Sequence, residues 1–160
     1  MLVNFKELSN TSKVWIYQAD KELSNQEVAK VKTKISYFIQ NWQSHGKDLI
    51  ASFKIMYNQF IIISVDEDKT SSSGCSIDAS VTIIKELESD LQINLFDRLK
   101  ITFKIDKNIN TVNFVNFKKY INEGKINSNT IVFNNLVKTK AEFINNWEIP
   151  AKDSWHNRFF

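Results

Sequence analysis

The segment Ser52–Val65, with the sequence SFKIMYNQFIIISV, decides the predicted fold of this chain. Residues 52–57 and 60–65 are rich in apolar, aromatic and β-branched side chains, and both runs have the length of a strand. Asn58 and Gln59 lie between the two runs and can form a tight two-residue turn. The segment therefore predicts an antiparallel β-hairpin.

The residues before the hairpin predict one strand followed by one helix. Val14–Gln18 combines Val, Trp, Ile and Tyr, a composition that favours a buried strand. Ser24 and Glu27 have the spacing of a capping box, and apolar residues then recur at helical spacing as far as Trp42. We expect Gly46 to end this helix.

The residues after the hairpin predict a second helix and a fourth strand. The helix begins near Cys75 or Ser76, carries its apolar residues on one face, and ends before Asn94. Residues 99–105 alternate between apolar and polar side chains, as in a strand with one buried face. The order βαββαβ predicts an α+β fold with a ferredoxin-like core, in which an antiparallel sheet carries both helices on one side.

The last third of the chain predicts an α/β extension of this core. Phe114–Ile121 has the pattern of a short helix that ends at Gly124. Thr130–Phe133 predicts a strand, and Val137–Trp147 predicts a last helix.

The length and composition predict one domain. A chain of 160 residues with 42% hydrophobic residues can bury a core of its own. We expect a single domain over residues 1–160, with a core at about 12–106 and an extension at 107–160. Its single cysteine cannot build a disulfide framework or a cysteine-based zinc site, and it predicts a reducing compartment, namely the cytoplasm.

The start of the chain and its charge argue against several classes of protein. Residues 1–10 lack the pattern of a secretory signal, and the longest dense apolar run, Phe60–Ile63, is too short to span a membrane. We therefore expect no membrane insertion. The formal charge of +3 is spread over scattered lysines, which predicts no specific binding of nucleic acid.

Several short motifs together suggest a lineage. They are Val14-Trp15-Ile16-Tyr17-Gln18, Ser73-Gly74-Cys75-Ser76-Ile77-Asp78, Phe96-Asp97-Arg98, Thr130-Ile131-Val132-Phe133-Asn134-Asn135 and Ser154-Trp155-His156. With these motifs the chain resembles, over nearly its whole length, an uncharacterised family of Bacteroidetes proteins of similar size that are often labelled ABC transporter ATPase. The label of that family implies nucleotide hydrolysis.

The residues themselves predict no ATP hydrolysis. A P-loop needs the pattern Gly-x-x-x-x-Gly-Lys-Ser/Thr, whose backbone amides surround the phosphates. The three glycines, Gly46, Gly74 and Gly124, are isolated, and none of the Lys-Thr pairs follows such a loop. The dinucleotide-binding pattern and the HExxH zinc pattern are also missing, so we predict no cofactor and no metal.

The densest group of polar and reactive side chains lies between the hairpin and the second helix. A cysteine at a helix N-terminus lies near free backbone amides, which favour a thiolate nucleophile and can also bind a small anion. Carboxylates nearby could act as a base or hold a hard cation. The candidate ligand-binding residues are Asp66, Glu67, Asp68, Ser73, Gly74, Cys75, Ser76, Asp78 and Arg98.

A purely structural interpretation of the same segment is also open. Gly74 would permit a turn, Cys75 or Ser76 would cap the helix, and Asp78 would complement the helix dipole. By the same logic, His45 would lie at the end of the first helix and stabilise its last carbonyl groups.

The C-terminal segment contains the candidate partner-binding residues Trp155, His156 and Arg158. These side chains could form the tip of an interaction surface, or they could fold back and cover the sheet face that the two helices leave bare. Both alternatives remain open from the sequence.

The leading functional hypothesis is a cytoplasmic α/β domain without ATPase activity that binds a small ligand or a protein partner. One alternative is a thiol-dependent enzyme that uses Cys75 as its nucleophile. Another is an assembly or interaction subunit, which could form a homodimer.

Overall fold

A computed structural model describes all 160 residues of the chain. The protein is of the mixed α+β class, with four α-helices and antiparallel sheets, which confirms the predicted class. Its contacts divide it into two compact units, residues 1–96 with 138–141 and residues 97–137 with 142–160. None of its helices combines the length and the apolar character that a membrane crossing requires.

The first unit contains a three-stranded antiparallel sheet and two helices. In chain order its elements are β1 (Lys13–Gln18), α1 (Asn25–Gln40), β2 (Gln43–Ser44), β3 (Lys47–Asp48), β4 (Ile50–Met56), β5 (Phe60–Asp66) and α2 (Gly74–Leu91). The strand order in the main sheet is β1-β5-β4, and the predicted hairpin forms between β4 and β5. Ile61, Ile63 and Val65 of β5 join the helix residues Ile35, Ile39, Ile84 and Leu87 in one buried core.

The second unit is built around a four-stranded antiparallel sheet. Its elements are β6 (Lys100–Ile105), β7 (Asn108–Asn113), α3 (Phe114–Asn122), β8 (Ile131–Phe133), α4 (Lys140–Asn146), which starts among residues of the first unit, and β9 (Glu148–Pro150). The strand order is β7-β6-β8-β9. Its core contains Ile101, Phe103, Phe117, Ile126, Val132 and Ala151.

The ferredoxin-like βαββαβ topology is not confirmed, because the strand predicted to complete it lies in the other sheet. The outer edge of β1, where that strand would pair, is instead bridged by residues 138–140: the Val14 amide donates to the Lys138 carbonyl at 2.9 Å. Strand β6 pairs with β7 across a two-residue turn. A hairpin of this kind closes a short loop, which costs less chain entropy than pairing with a distant strand.

The turn between β4 and β5 lies one residue earlier than predicted. Tyr57 and Asn58 have φ angles of 55° and 51°, and the Gln59 amide donates to the Met56 carbonyl at 3.0 Å. The two central residues of the turn are therefore Tyr57 and Asn58, both with positive φ as a type I′ turn requires. Gln59 is buried, and its side-chain amide donates to the Ala19 carbonyl.

Helix α1 begins as predicted but ends earlier. Ser24 is its N-cap, and the capping box with Glu27 is present. The helix ends at Gln40, and Gly46 instead forms, with His45, the turn that joins β2 to β3. Both residues have positive φ, 51° for His45 and 77° for Gly46, as a two-residue hairpin turn requires. The prediction that His45 caps α1 is therefore wrong.

Helix α2 begins and ends close to its predicted limits, and Ile84, Leu87 and Leu91 are buried as its apolar pattern predicts, but serines are buried in its first turns. Ser73 is the N-cap, and Gln92 adopts a left-handed conformation at the C-terminal end. Ser76 and Ser80 are buried, whereas Ile77 is only half-buried. The Trp42 indole nitrogen donates to the Ser76 carbonyl at 2.9 Å, so a large aromatic side chain lies against the helix at the small residue Ser76.

Three of the elements predicted in the last third are present. Helix α3 is followed by Gly124, which has a φ of 71°, and β8 occupies residues 131–133 of the predicted strand. Helix α4 is shorter than predicted because the chain pairs again with β8 through β9. Strand β7 was not predicted, since four of its residues are asparagine or threonine and its side chains are only half-buried or exposed.

A buried lysine that the sequence does not reveal anchors the start of the chain. Lys140 is only 5% exposed, and its ammonium group donates to the carbonyl oxygens of Lys6 and Leu8. It also lies 5.5 Å from the centre of the Phe5 ring. These contacts hold the 3-10 helix Phe5–Glu7 in the first unit.

Candidate functional site

The carboxylates of the loop that precedes α2 are bonded to the chain itself. Asp66 accepts hydrogen bonds from the backbone amides of Ser9, at 3.2 Å, and Asp68, at 3.0 Å. Glu67 accepts hydrogen bonds from the amide and the hydroxyl of Ser72 and forms an ion pair with Lys13 at 3.0 Å. A ligand at these oxygens would have to displace the bonds that hold the loop.

The same bonds make these two carboxylates poor proton acceptors. Partial burial raises the pKa of Glu67, but the hydrogen bonds from Ser72 and Lys13 outweigh it, so its pKa is below the ordinary value. Burial likewise raises the pKa of Asp66, and the bonds from Asp68 and Ser9 bring it below the ordinary value. A general base works best with a pKa near the working pH, which neither group has.

The first turn of α2 is capped by serines. The Ser73 hydroxyl accepts from the Ser76 amide at 3.2 Å, and the Ser76 hydroxyl accepts from the Ser73 amide at 2.7 Å. Gly74, Cys75 and Asp78 are exposed beside this capping box. The N-cap residue is therefore Ser73, whereas Ser76, one of the two residues predicted to be the cap, is the third residue of the helix and completes the capping box.

The remaining residues predicted for this site do not complete a ligand set. Asp68 is exposed, and Arg98 is an exposed residue of the second unit, outside the unit that contains the loop. No group of three or more His, Cys, Asp or Glu side chains anywhere in the chain is arranged to hold a metal ion. The loop therefore has a clear structural role, and the exposed thiol of Cys75 lies just after it, in the first turn of α2.

We expect native Cys75 to react with iodoacetamide at a rate within about fivefold of that of the unfolded chain. The thiol is exposed, and a helix N-terminus stabilises a nearby anion by at most about 1 kcal/mol, which is about a fivefold effect. The measurement compares alkylation in buffer and in urea at one pH, with Cys75→Ser as the blank. A native rate faster by a hundredfold or more would instead identify an activated nucleophile.

A groove lies between helices α1 and α2 of the first unit. This open groove has a volume of about 400 Å³ and is lined by Ala29, Lys30, Thr33, Lys34, Leu87, Asp90 and Leu91. Lys34 pairs with Glu86 at 2.9 Å and with Asp90 at 3.0 Å. The hydrogen bonds to Glu86 and Asp90 raise the pKa of Lys34, so it stays protonated, and its positive charge is balanced by these two carboxylates.

The C-terminal segment packs on its own chain. After β9 it forms two short 3-10 helices, Ala151–Asp153 and Trp155–Phe159. The Phe159 ring lies 5.5 Å from the rings of Phe114 and Phe117 on α3. The segment folds back on its own chain, but it packs on α3 of the second unit and not on the sheet face that the sequence analysis suggested.

Arg158 is exposed on top of these aromatic rings. Its guanidinium carbon lies 5.0 Å from the ring centres of Trp155 and Phe159 and 5.9 Å from that of Phe114. The three rings are half-buried, and no carboxylate lies within ion-pair distance of Arg158. Ring contacts restrict the side chain and leave its N–H groups available to an acceptor.

Lys118 adds a second cation to this surface. Its ammonium nitrogen lies 5.9 Å from the centre of the Phe159 ring, and it too has no carboxylate partner. We call Phe114, Lys118, Trp155, Arg158 and Phe159 the cation–aromatic surface. The sequence analysis identified Trp155 and Arg158 as candidate partner-binding residues. It did not identify Phe114 or Lys118 as such, because their spacing was interpreted only as the pattern of a helix.

His156 lies beneath this surface. It is 1% exposed, its Nδ1 lies 2.7 Å from the Ser154 hydroxyl oxygen, and its ring stacks on Trp155 at 3.9 Å. Burial, with a smaller contribution from the charge of Arg158, lowers the pKa of His156 to about 4. His156 is therefore neutral at neutral pH and supports Trp155, so direct contact with a partner is not its role.

The charge of the protein is concentrated in the unit that contains this surface. The second unit has nine Lys and Arg residues and six Asp and Glu residues, so it carries the whole formal charge of +3. The first unit has twelve of each and is neutral. This excess of basic residues is already visible along the sequence, because residues 97–160 contain eleven Lys and Arg residues and six Asp and Glu residues.

Comparisons of this chain with protein-family models, with curated proteins and with solved structures found no match.

Proposed function

We propose that this chain is a binding domain without ATPase activity and that it binds a protein partner through the cation–aromatic surface. The observation that carries the proposal is the exposed guanidinium of Arg158, which lies over three half-buried rings and has no acidic partner in the chain.

The residue types at this surface favour a protein partner. Arg, Trp and other aromatic residues are enriched among the residues that contribute most to protein–protein binding. Two of these rings lose little conformational freedom on binding, since Phe159 already packs against Phe117 and Trp155 already stacks on His156. The loop before α2 supports the alternative of a small ligand less well, because its carboxylates Asp66 and Glu67 are bonded to the chain.

We further propose that the chain is a member of the Bacteroidetes family that its sequence resembles and that it is located in the cytoplasm. Its single cysteine is a free, exposed thiol, and a reducing compartment such as the cytoplasm keeps thiols in this form. The isolated glycines support the absence of ATPase activity: Gly46 and Gly124 have positive φ in separate turns, and Gly74 starts α2.

A photo-cross-linking amino acid tests the binding surface in the cells that produce the protein. At Val115, which is 75% exposed in the first turn of α3, we expect one discrete cross-linked protein. At Tyr37, which is 76% exposed on α1, we expect no such product. The Arg158→Ala substitution should remove the Val115 product. Identical products from both positions, or a Val115 product that Arg158→Ala leaves unchanged, would refute the proposal.

A further inference from the structure

We infer that the partner presents an acidic peptide segment that also carries apolar side chains, and that Arg158 and Lys118 bind its carboxylates. This inference rests on the proposed function and specifies the chemistry of the partner. It follows from three properties of the cation–aromatic surface: its unpaired cations, its occupied ring faces and its exposed apolar neighbours.

The cations of this surface differ from the other cations of α3 and its C-terminal turn. Lys119 and Lys125 both pair with Glu123, at 3.9 Å and 2.9 Å. Arg158 and Lys118 have no carboxylate partner, although both lie over the Phe159 ring. A carboxylate beside either unpaired cation gains charge-assisted hydrogen bonds, and the guanidinium can bind both oxygens of one carboxylate.

The ring faces argue for a peptide and against single-stranded nucleic acid. Binding of single strands depends on open aromatic faces on which bases can stack. Here Trp155 already stacks on His156 and is also contacted by Arg158, and Phe159 is contacted by Arg158 and Lys118. The basic unit carries a charge of only +3, which is small for a surface that tracks a phosphate backbone.

Apolar side chains border the same surface. Val115 is 75% exposed and lies three positions before Lys118 on α3, a spacing at which helix side chains are neighbours. Phe160 directly follows Phe159, is 42% exposed, and has its ring 6.1 Å from that of Phe117. A surface that combines exposed apolar side chains with unpaired cations is complementary to a partner segment in which acidic and apolar residues alternate. Such a segment can bury its apolar residues on Val115 and Phe160 while its carboxylates reach Arg158 and Lys118.

The test is a titration of the full chain against a fluorescein-labelled peptide of alternating Glu and Leu, followed by anisotropy. We expect binding that weakens as salt is added, and Arg158→Ala should weaken it about tenfold or more, as loss of one partner of a hydrogen-bonded charge pair does. Arg98→Ala is the matched control, because it removes an equal charge from an exposed arginine of the same unit and should change the affinity less than about twofold. Equal thermal midpoints of the two variants will show that both are folded.

Two outcomes would overturn the inference. One is equal weakening by Arg158→Ala and Arg98→Ala, which would show that only net charge matters. The other is tighter, Arg158-dependent binding of a labelled oligothymidylate, which would show a nucleic-acid surface. If the acidic peptide fails to bind while the Val115 cross-link persists and depends on Arg158, the inference is wrong and the proposed binding function still stands.

Discussion

Replacing Phe117 with alanine is expected to lower the free energy of unfolding by about 3–5 kcal/mol, as truncation of a fully buried phenylalanine does. Phe117 is 0% exposed and lies in the core of the second unit. Its ring is 5.6 Å from that of Phe103, 6.2 Å from that of His156 and 5.5 Å from that of Phe159. The substitution therefore leaves a cavity beneath the C-terminal segment and removes the contacts of Phe117 with His156, Phe159 and Phe160 in this segment.

Urea unfolding followed by tryptophan fluorescence measures this loss. Val115→Ala is the matched control on the same helix, since an exposed apolar side chain contributes within about 0.5 kcal/mol. We also expect Phe117→Ala to make the segment from residue 151 onward sensitive to protease in the absence of urea. A loss below about 1 kcal/mol would show that the C-terminal segment does not depend on Phe117.

Lowering the pH from 6.5 to 4 is expected to cost up to about 3 kcal/mol of stability through His156 alone. Burial lowers the pKa of its imidazole from 6.5 in the unfolded chain to about 4 in the folded protein. Between these values the unfolded chain binds a proton that the folded protein does not, so acidification favours unfolding. The stabilisation is complete above pH 6.5 and is lost as the pH falls towards 4.

Urea midpoints across this pH range, compared with those of His156→Gln, isolate the contribution of the imidazole. The comparison is needed because Asp66 and Glu67, whose pKa values are also lowered, lose their stabilising charge at low pH in the same direction. His45→Gln is the control, as this histidine is exposed in the turn between β2 and β3. If His156→Gln shows the same pH dependence as the unchanged protein, His156 is not the titrating group.

Local signals in the sequence were sufficient for most of the individual elements. The capping box of Ser24 and Glu27 marks the start of α1, and the apolar runs of residues 52–65 form the predicted hairpin. These predictions succeeded because a helix cap and a tight hairpin depend on residues only two to four positions apart. The pattern of α3 with Gly124 after it was readable for the same reason.

The assignment of strands to sheets was decided only by the tertiary structure. The alternation of residues 99–105 is compatible with pairing in either sheet, and β6 pairs in the second unit because the unpredicted strand β7 follows it immediately. The positions of His45 and Gly46 in a hairpin turn likewise depend on the short pairing of β2 with β3, which no residue pattern indicated.

The candidate site shows the same division between local pattern and tertiary packing. The amino-acid sequence established that residues 150–160 are aromatic and basic and that residues 114–121 form a helix. It contained no sign that Arg158 would lie over Phe114, about forty positions earlier, or that Lys140 would be buried against Lys6 and Leu8. Such contacts depend on how whole elements pack. Joining distant residues costs chain entropy, and only the burial of the core as a whole offsets that cost. This balance of free energies cannot be read from any local sequence pattern.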